Sequence, residues 1–173
     1  MKKNWYAVYT KLNCELKVIA QLNRKKIETY CPVHSINNNT GFRKRWITVP
    51  LFQSIVFVYI SEEDMPVVKQ TTEVLNFLYW LGTPAVISNE EVKNIERFTS
   101  DYTHIRIEKA IVNPYAPVQI ISHKDLSSSN VSSSYTFIKM LLPSLGYSII
   151  ASVETATFKV FDSLTNTKRK LVS

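Results

Sequence analysis

Residues 43–60 read RKRWITVPLFQSIVFVYI: three consecutive cations, a tryptophan, a Val-Pro step, then an apolar run interrupted by Gln53 and Ser54. The stretch 55–60 is β-branched and aromatic and too short for a helix of ordinary length, so it predicts a strand buried on both faces. Arg43, Lys44 and Arg45 cannot be buried unpaired, and belong in the loop or strand end that delivers the chain to that core.

Working outward toward the N-terminus, 5–10 (WYAVYT) is a predicted strand. From Asn13 onward Glu15, Val18, Ile19 and Leu22 recur at the spacing of an amphipathic helix. Glu15 falls in its first turn and Lys25 and Lys26 in its last, as the helix dipole prefers. A second short strand is expected over 27–33, edged by Pro32, and the polar segment SINNNTGF that follows reads as a hairpin tip. Toward the C-terminus, Ser61 and the acids at 62–64 open a helix. Strands are expected over 76–79 and 85–87, around a Leu81-Gly82-Thr83-Pro84 turn, and Ser88 with Glu91 forms a capping box for a helix reaching about Ser100. The order β, α, β, β, α, β, α predicts an α/β sandwich with helices packed on an antiparallel sheet.

After about residue 105 the helical periodicity stops. Asn113-Pro114 and Ala116-Pro117 suit a linker. Strands are then expected over 118–122, 136–142, 147–153 and 156–161, a small β-barrel pattern, with a mobile serine-rich loop at 126–134. The class is therefore α+β, divided as 1–105 for the first domain, 106–115 for a linker and 116–173 for the barrel.

The formal charge of +7 is unevenly placed. Residues 1–60 carry ten Lys/Arg against two acids, residues 61–112 five against nine, and residues 113–173 six against three. A polyanion would therefore meet the N-terminal third. No stretch approaches the roughly 20 apolar residues of a membrane-spanning helix, and the N-terminus lacks a cleavable leader pattern, so a cytoplasmic protein with no membrane partner is expected. Cys14 and Cys31 are too few for a disulfide framework and read as small buried hydrophobes.

Enzymatic chemistry finds no support. His34, His104 and His123 lie far apart with no metal-ligand spacing, and Gly41, Gly82 and Gly146 form no phosphate loop. No serine stands in a nucleophile-elbow context, and Glu90 and Glu91 serve a helix N-terminus. No catalytic residue, metal or cofactor is expected. Two binding surfaces are. One is apolar, from Trp5, Tyr6, Phe52 and Ile55, shaped to accept a partner's helix. The other is cationic, from Lys11, Lys17, Arg24, Lys25 and Lys26 with Arg43, Lys44 and Arg45, suited to phosphates.

The segments 5–33, 43–60 and 74–98 together resemble the NusG family of transcription elongation factors, and 74–98 (VLNFLYWLGTPAVISNEEVKNIERF) resembles its UpxY-like antiterminators in particular. The resemblance implies an NGN-type first domain and a KOW-like (SH3-like) barrel, to whose later strands 136–154 is similar. It further implies binding of the first domain to a coiled-coil on the RNA polymerase clamp, contact with the non-template DNA strand, and antitermination at a surface polysaccharide operon. A monomer is expected, and a regulatory protein is a further partner to consider. The chain departs from the family in reading PLFQSIVFV where relatives read PLFPGYVFV, and in lacking the glycine-rich turn that opens the barrel. The rival reading is an RNA- or ribosome-binding module acting without polymerase, against which the charge concentrated in the first 60 residues speaks.

Overall fold

The computed structural model describes residues 2–38, 45–111, 113, 118–125 and 134–155. The expected strand at 156–161, Arg43 and Lys44, the two X-Pro steps and most of the serine-rich loop lie outside these residues. In chain order the elements are β1 (Asn4–Thr10), α1 (Glu15–Arg24), β2 (Glu28–Tyr30), β3 (Val33–Asn38), β4 (Arg45–Pro50) and β5 (Ile55–Ile60). A short 3-10 turn (Glu62–Asp64) leads into α2 (Met65–Lys69), then β6 (Val74–Phe77), β7 (Tyr79–Trp80), β8 (Thr83–Pro84), β9 (Val86–Ile87) and α3 (Asn89–Asp101). The last strands are β10 (Ile105–Lys109), β11 (Gln119–Asp125), β12 (Ser134–Leu142) and β13 (Tyr147–Thr155).

The first sheet runs β2-β5-β1-β6, with β9 also pairing β1, and every pair is antiparallel. As its composition predicts, β5 is buried on both faces: Val56, Phe57 and Val58 are fully enclosed. Side chains alternate along a strand, so each face receives its own cluster. On one face Tyr6, Val8, Val56, Val58, Ile60 and Phe77 meet Val18 and Leu22 of α1 and Val68 of α2. On the other, Ala7, Ile55, Phe57 and Ile87 meet Val92, Ile95 and Phe98 of α3. Each such fully buried aliphatic or aromatic side chain stabilises the fold by about 1.5–3 kcal/mol.

The helix boundaries follow from local chemistry. Ser61 Oγ and the Ser61 amide both donate to the Asp64 carboxylate, at 2.7 and 3.2 Å, closing the first turn before α2, where Pro66 is tolerated. Ser88 Oγ accepts the Glu91 amide at 3.0 Å to start α3. The expected reciprocal half of that box is not made. The Glu91 side chain turns inward instead and is 2% exposed.

The second sheet, β10-β13-β12-β11, is also antiparallel. Residues 106–109, which the sequence reading gives to a linker, belong to its edge strand β10. Ile105 and Ile107 alternate with Arg106 and Glu108, a two-residue period that marks a strand once the helical pattern of α3 has ended. Inward-facing Ile105, Met140, Ile149 and Ala151, with Leu142 and Leu145, join the same cluster as Phe57 and α3. The two sheets therefore share one continuous core. The β3–β4 hairpin leaves the first sheet at Val33 and Pro50 and extends the turn predicted for SINNNTGF into a ladder from Val33↔Pro50 to Asn38↔Arg45.

Candidate partner-binding surfaces

The link between β4 and β5 carries the apolar candidates. Phe52 is 1% exposed, its ring edge-on to Phe57 at 5.9 Å and to Tyr147 of β13 at 5.8 Å. Ile55 is also buried, in the same cluster. The sequence reading has these two side chains facing a partner, but in this arrangement the second sheet occupies that face. Alternation also separates the other two candidates. Trp5 is half-buried on the Phe52 face and stacks obliquely on Tyr59 at 5.2 Å, whereas Tyr6 points to the α1 side, edge-on to Phe77 at 6.0 Å. Trp5, Phe52 and Ile55 thus share a face, and Tyr6 belongs to the opposite core.

Ser54 shows how the chain accommodates its departure from the Pro-Gly-Tyr pattern. Its φ of 58° lies in the left-handed region that suits glycine. Its amide donates to buried Glu15 Oε1 at 2.6 Å, and its carbonyl accepts the Thr10 amide at 2.9 Å. These two bonds hold the serine in a conformation that costs an L-residue about 1–2 kcal/mol.

The packing of the second sheet on the first is fixed by polar contacts as well as by the core. Trp80 Nε1 donates to the Ser144 carbonyl at 2.7 Å. Gly146, at φ 69°, closes the β12–β13 turn against the Trp80 ring, where an added Cβ would stand 3.5 Å from Cζ2. Burial raises the Glu91 pKa, partly offset by hydrogen bonds from the Ser144 hydroxyl and amide, and its Oε1 has no partner among the described residues. Sequence reading missed Trp80, Ser144, Gly146 and Tyr147. Their signal was the apolar alternation of 138, 140 and 142 with 149 and 151, which asks for a partner sheet.

The cationic candidates divide. Lys11 and Lys17 both reach Glu73, at 2.9 and 2.8 Å, lowering its pKa, while the Lys17 pKa is raised by the same bond. Lys25 Nζ donates to Thr71 Oγ1 at 2.8 Å and to the Val67 carbonyl at 3.3 Å, joining the end of α1 to that of α2. Arg24 and Lys26 are exposed beside it. Arg45 is exposed at the start of β4, in the β3–β4 hairpin rather than on the first sheet that carries α1. Burial pushes the Cys31 thiol up to about 11, so it stays protonated at neutral pH.

The NusG family profile, described as transcription termination factor nusG, matches residues 3–96, more than half of the 173 residues. The chain belongs to the NusG family. Members of that family are transcription factors rather than enzymes, and interact with RNA polymerase. Among solved structures, the chain is similar to one reported for domain interaction in Thermotoga maritima NusG. The identity is 18%, the TM-score 0.48, and the match covers 90% of this chain and 94% of that one. No curated protein matches the chain. Among the described residues no helix is long and apolar enough to cross a membrane.

Proposed function

We propose that this NusG-family protein is a transcription elongation factor acting as an antiterminator. It binds the polymerase clamp coiled-coil through the face bearing Trp5, Phe52 and Ile55. The match across residues 3–96 carries the reading. Binding that is tighter to the elongating polymerase than to the paused one shifts the balance between them without covalent chemistry. The cations of α1 and of the hairpin reach nearby DNA on the non-template strand, where each phosphate contact adds salt dependence. A target operon for surface polysaccharide is proposed from the UpxY-like segment 74–98 alone. Strands β10 to β13 are read as the described part of a KOW-like barrel.

The burial of Phe52 and Ile55 gives this reading a consequence. With Tyr147 seated on Phe52, the proposed polymerase face is closed, and binding requires the second sheet to move away. The apparent affinity is then reduced by the fraction of molecules that are open. The test is addition of the purified chain to stalled and elongating polymerase, with co-purification and readthrough of a terminator as readouts. Retention on polymerase with increased readthrough supports the proposal. Absence of any polymerase association, even for variants that loosen the sheet contact, refutes it.

A further inference from the structure

A cleft of about 440 Å³ lies where the β3–β4 hairpin meets β10 and the outer face of the second sheet. Its size falls within the roughly 300–1,000 Å³ of small-molecule sites. His34 and Trp46 line it from the hairpin, His104 from the bend just before β10, Arg106 from β10, and Phe137 and Ser152 from β12 and β13. The Trp46 ring is 57% exposed and meets the His104 ring edge-on at 6.5 Å. The Arg106 guanidinium lies 5.7 Å from the centre of the Phe137 ring. His34 Nδ1 is buried with no hydrogen-bond partner among the described residues. None of these six side chains contributes to either candidate surface described above.

The chemistry of the walls narrows the ligand. The exposed Trp46 ring favours a flat ligand, since stacking on tryptophan needs only a π-face. A neutral imidazole has one donor and one acceptor nitrogen, and burial lowers the His34 pKa toward that form, so His34 can hydrogen-bond a heterocycle's edge. Arg106 pairs with Glu108 at 3.4 Å, but both are exposed and such pairs hold weakly, which leaves the guanidinium available to an anion. We propose that this cleft binds a nucleobase together with its phosphate, the base stacking on Trp46 with its edge toward His34, and the phosphate meeting Arg106.

Because the walls come from the hairpin and from the second sheet together, occupancy also stabilises the closed packing of one on the other. The proposal rests on that packing and does not rest on polymerase binding. The base-phosphate unit has two sources, a free nucleotide or an exposed base of a single strand, and two probes separate them.

The test is calorimetric titration of the full chain, without polymerase, with adenosine monophosphate, a single-stranded oligodeoxyadenylate and inorganic phosphate. It is repeated for Trp46→Ala, Trp46→Phe and Arg106→Gln, with circular dichroism confirming that each is folded. The expected result is binding of at least one base-containing probe, weakened roughly tenfold or more by Trp46→Ala and by Arg106→Gln and retained by Trp46→Phe. Comparable affinity for the mononucleotide and the oligomer assigns a free nucleotide, and an oligomer tighter by about tenfold or more assigns a strand. No binding of either base-containing probe, equal binding of inorganic phosphate, or binding unchanged in Trp46→Ala and Arg106→Gln overturns the proposal. Loss of polymerase binding in a separate assay would leave these outcomes unaffected.

Discussion

The contact between Phe52 and Tyr147 can be measured as a coupling. Phe52 is 1% exposed and its ring packs on two others, so Phe52→Ala removes a buried aromatic and leaves a cavity, costing about 3–5 kcal/mol. Tyr147 is half-buried, and Tyr147→Ala costs less, about 2 kcal/mol. If the rings touch in solution at the 5.8 Å and 61° of the structure, the double variant loses their mutual contact only once. The two effects then fall short of additivity by about 0.5–1.5 kcal/mol. Total stabilities of about 5–15 kcal/mol leave the single variants measurable. The assay is urea unfolding of all four proteins, followed by circular dichroism and tryptophan fluorescence. Additivity within about 0.3–0.5 kcal/mol would show that the sheets do not meet at these residues and would refute the closed arrangement. Two separate transitions in the native protein would also refute it, since a shared core unfolds as one unit.

Ser54→Gly should stabilise the protein by about 0.5–1 kcal/mol in the same unfolding assay, because relief of the left-handed backbone exceeds the added unfolded-state entropy. Glu91→Gln should flatten the pH dependence of stability. The folded pKa lies above the ordinary value of 4.5, so between the two the folded chain keeps a proton that the unfolded chain has released, and native stability falls as pH rises through that window. Thermal melts from acid to neutral pH should show that fall in the native protein and not in the glutamine variant; parallel curves would contradict the assignment. Glu73→Gln should free Lys11 and Lys17, tighten binding to single-stranded DNA and steepen its salt slope by up to about two phosphate contacts. An unchanged slope in a salt series would remove these two lysines from the proposed DNA surface.

Much of the first sheet was legible because its strands and helices carry unmixed periodicities. Residues 55–60 could be read as doubly buried from composition, and the helical spacing of Glu15, Val18, Ile19 and Leu22 marked the inner face of α1. The capping box at Ser88 was only half legible. A glutamate three residues on satisfies the pattern, yet whether its carboxylate turns back or inward depends on what packs above it, here Ser144. The same non-local cause hid the state of Phe52. Its polar neighbours Gln53 and Ser54 suggested an exposed rim, and only the second sheet, about 90 residues further along, encloses it. Trp5 and Tyr6 looked like one aromatic pair because adjacency in sequence resembles adjacency in space, whereas a strand sends neighbours to opposite faces. The cleft around Trp46 and His104 joins residues 58 positions apart and had no local motif to announce it.

The central claim is that a polymerase-binding face lies beneath the second sheet. It is tested most directly by the affinity of core polymerase for the native chain and for Tyr147→Asp, which places a charge against Phe52. An ionised side chain there is unfavourable in the closed form and solvated in the open one, so the population shifts toward the open state. The account predicts that Tyr147→Asp binds polymerase about tenfold or more tightly than the native chain. Equal or weaker binding by a variant whose first domain remains folded would contradict it.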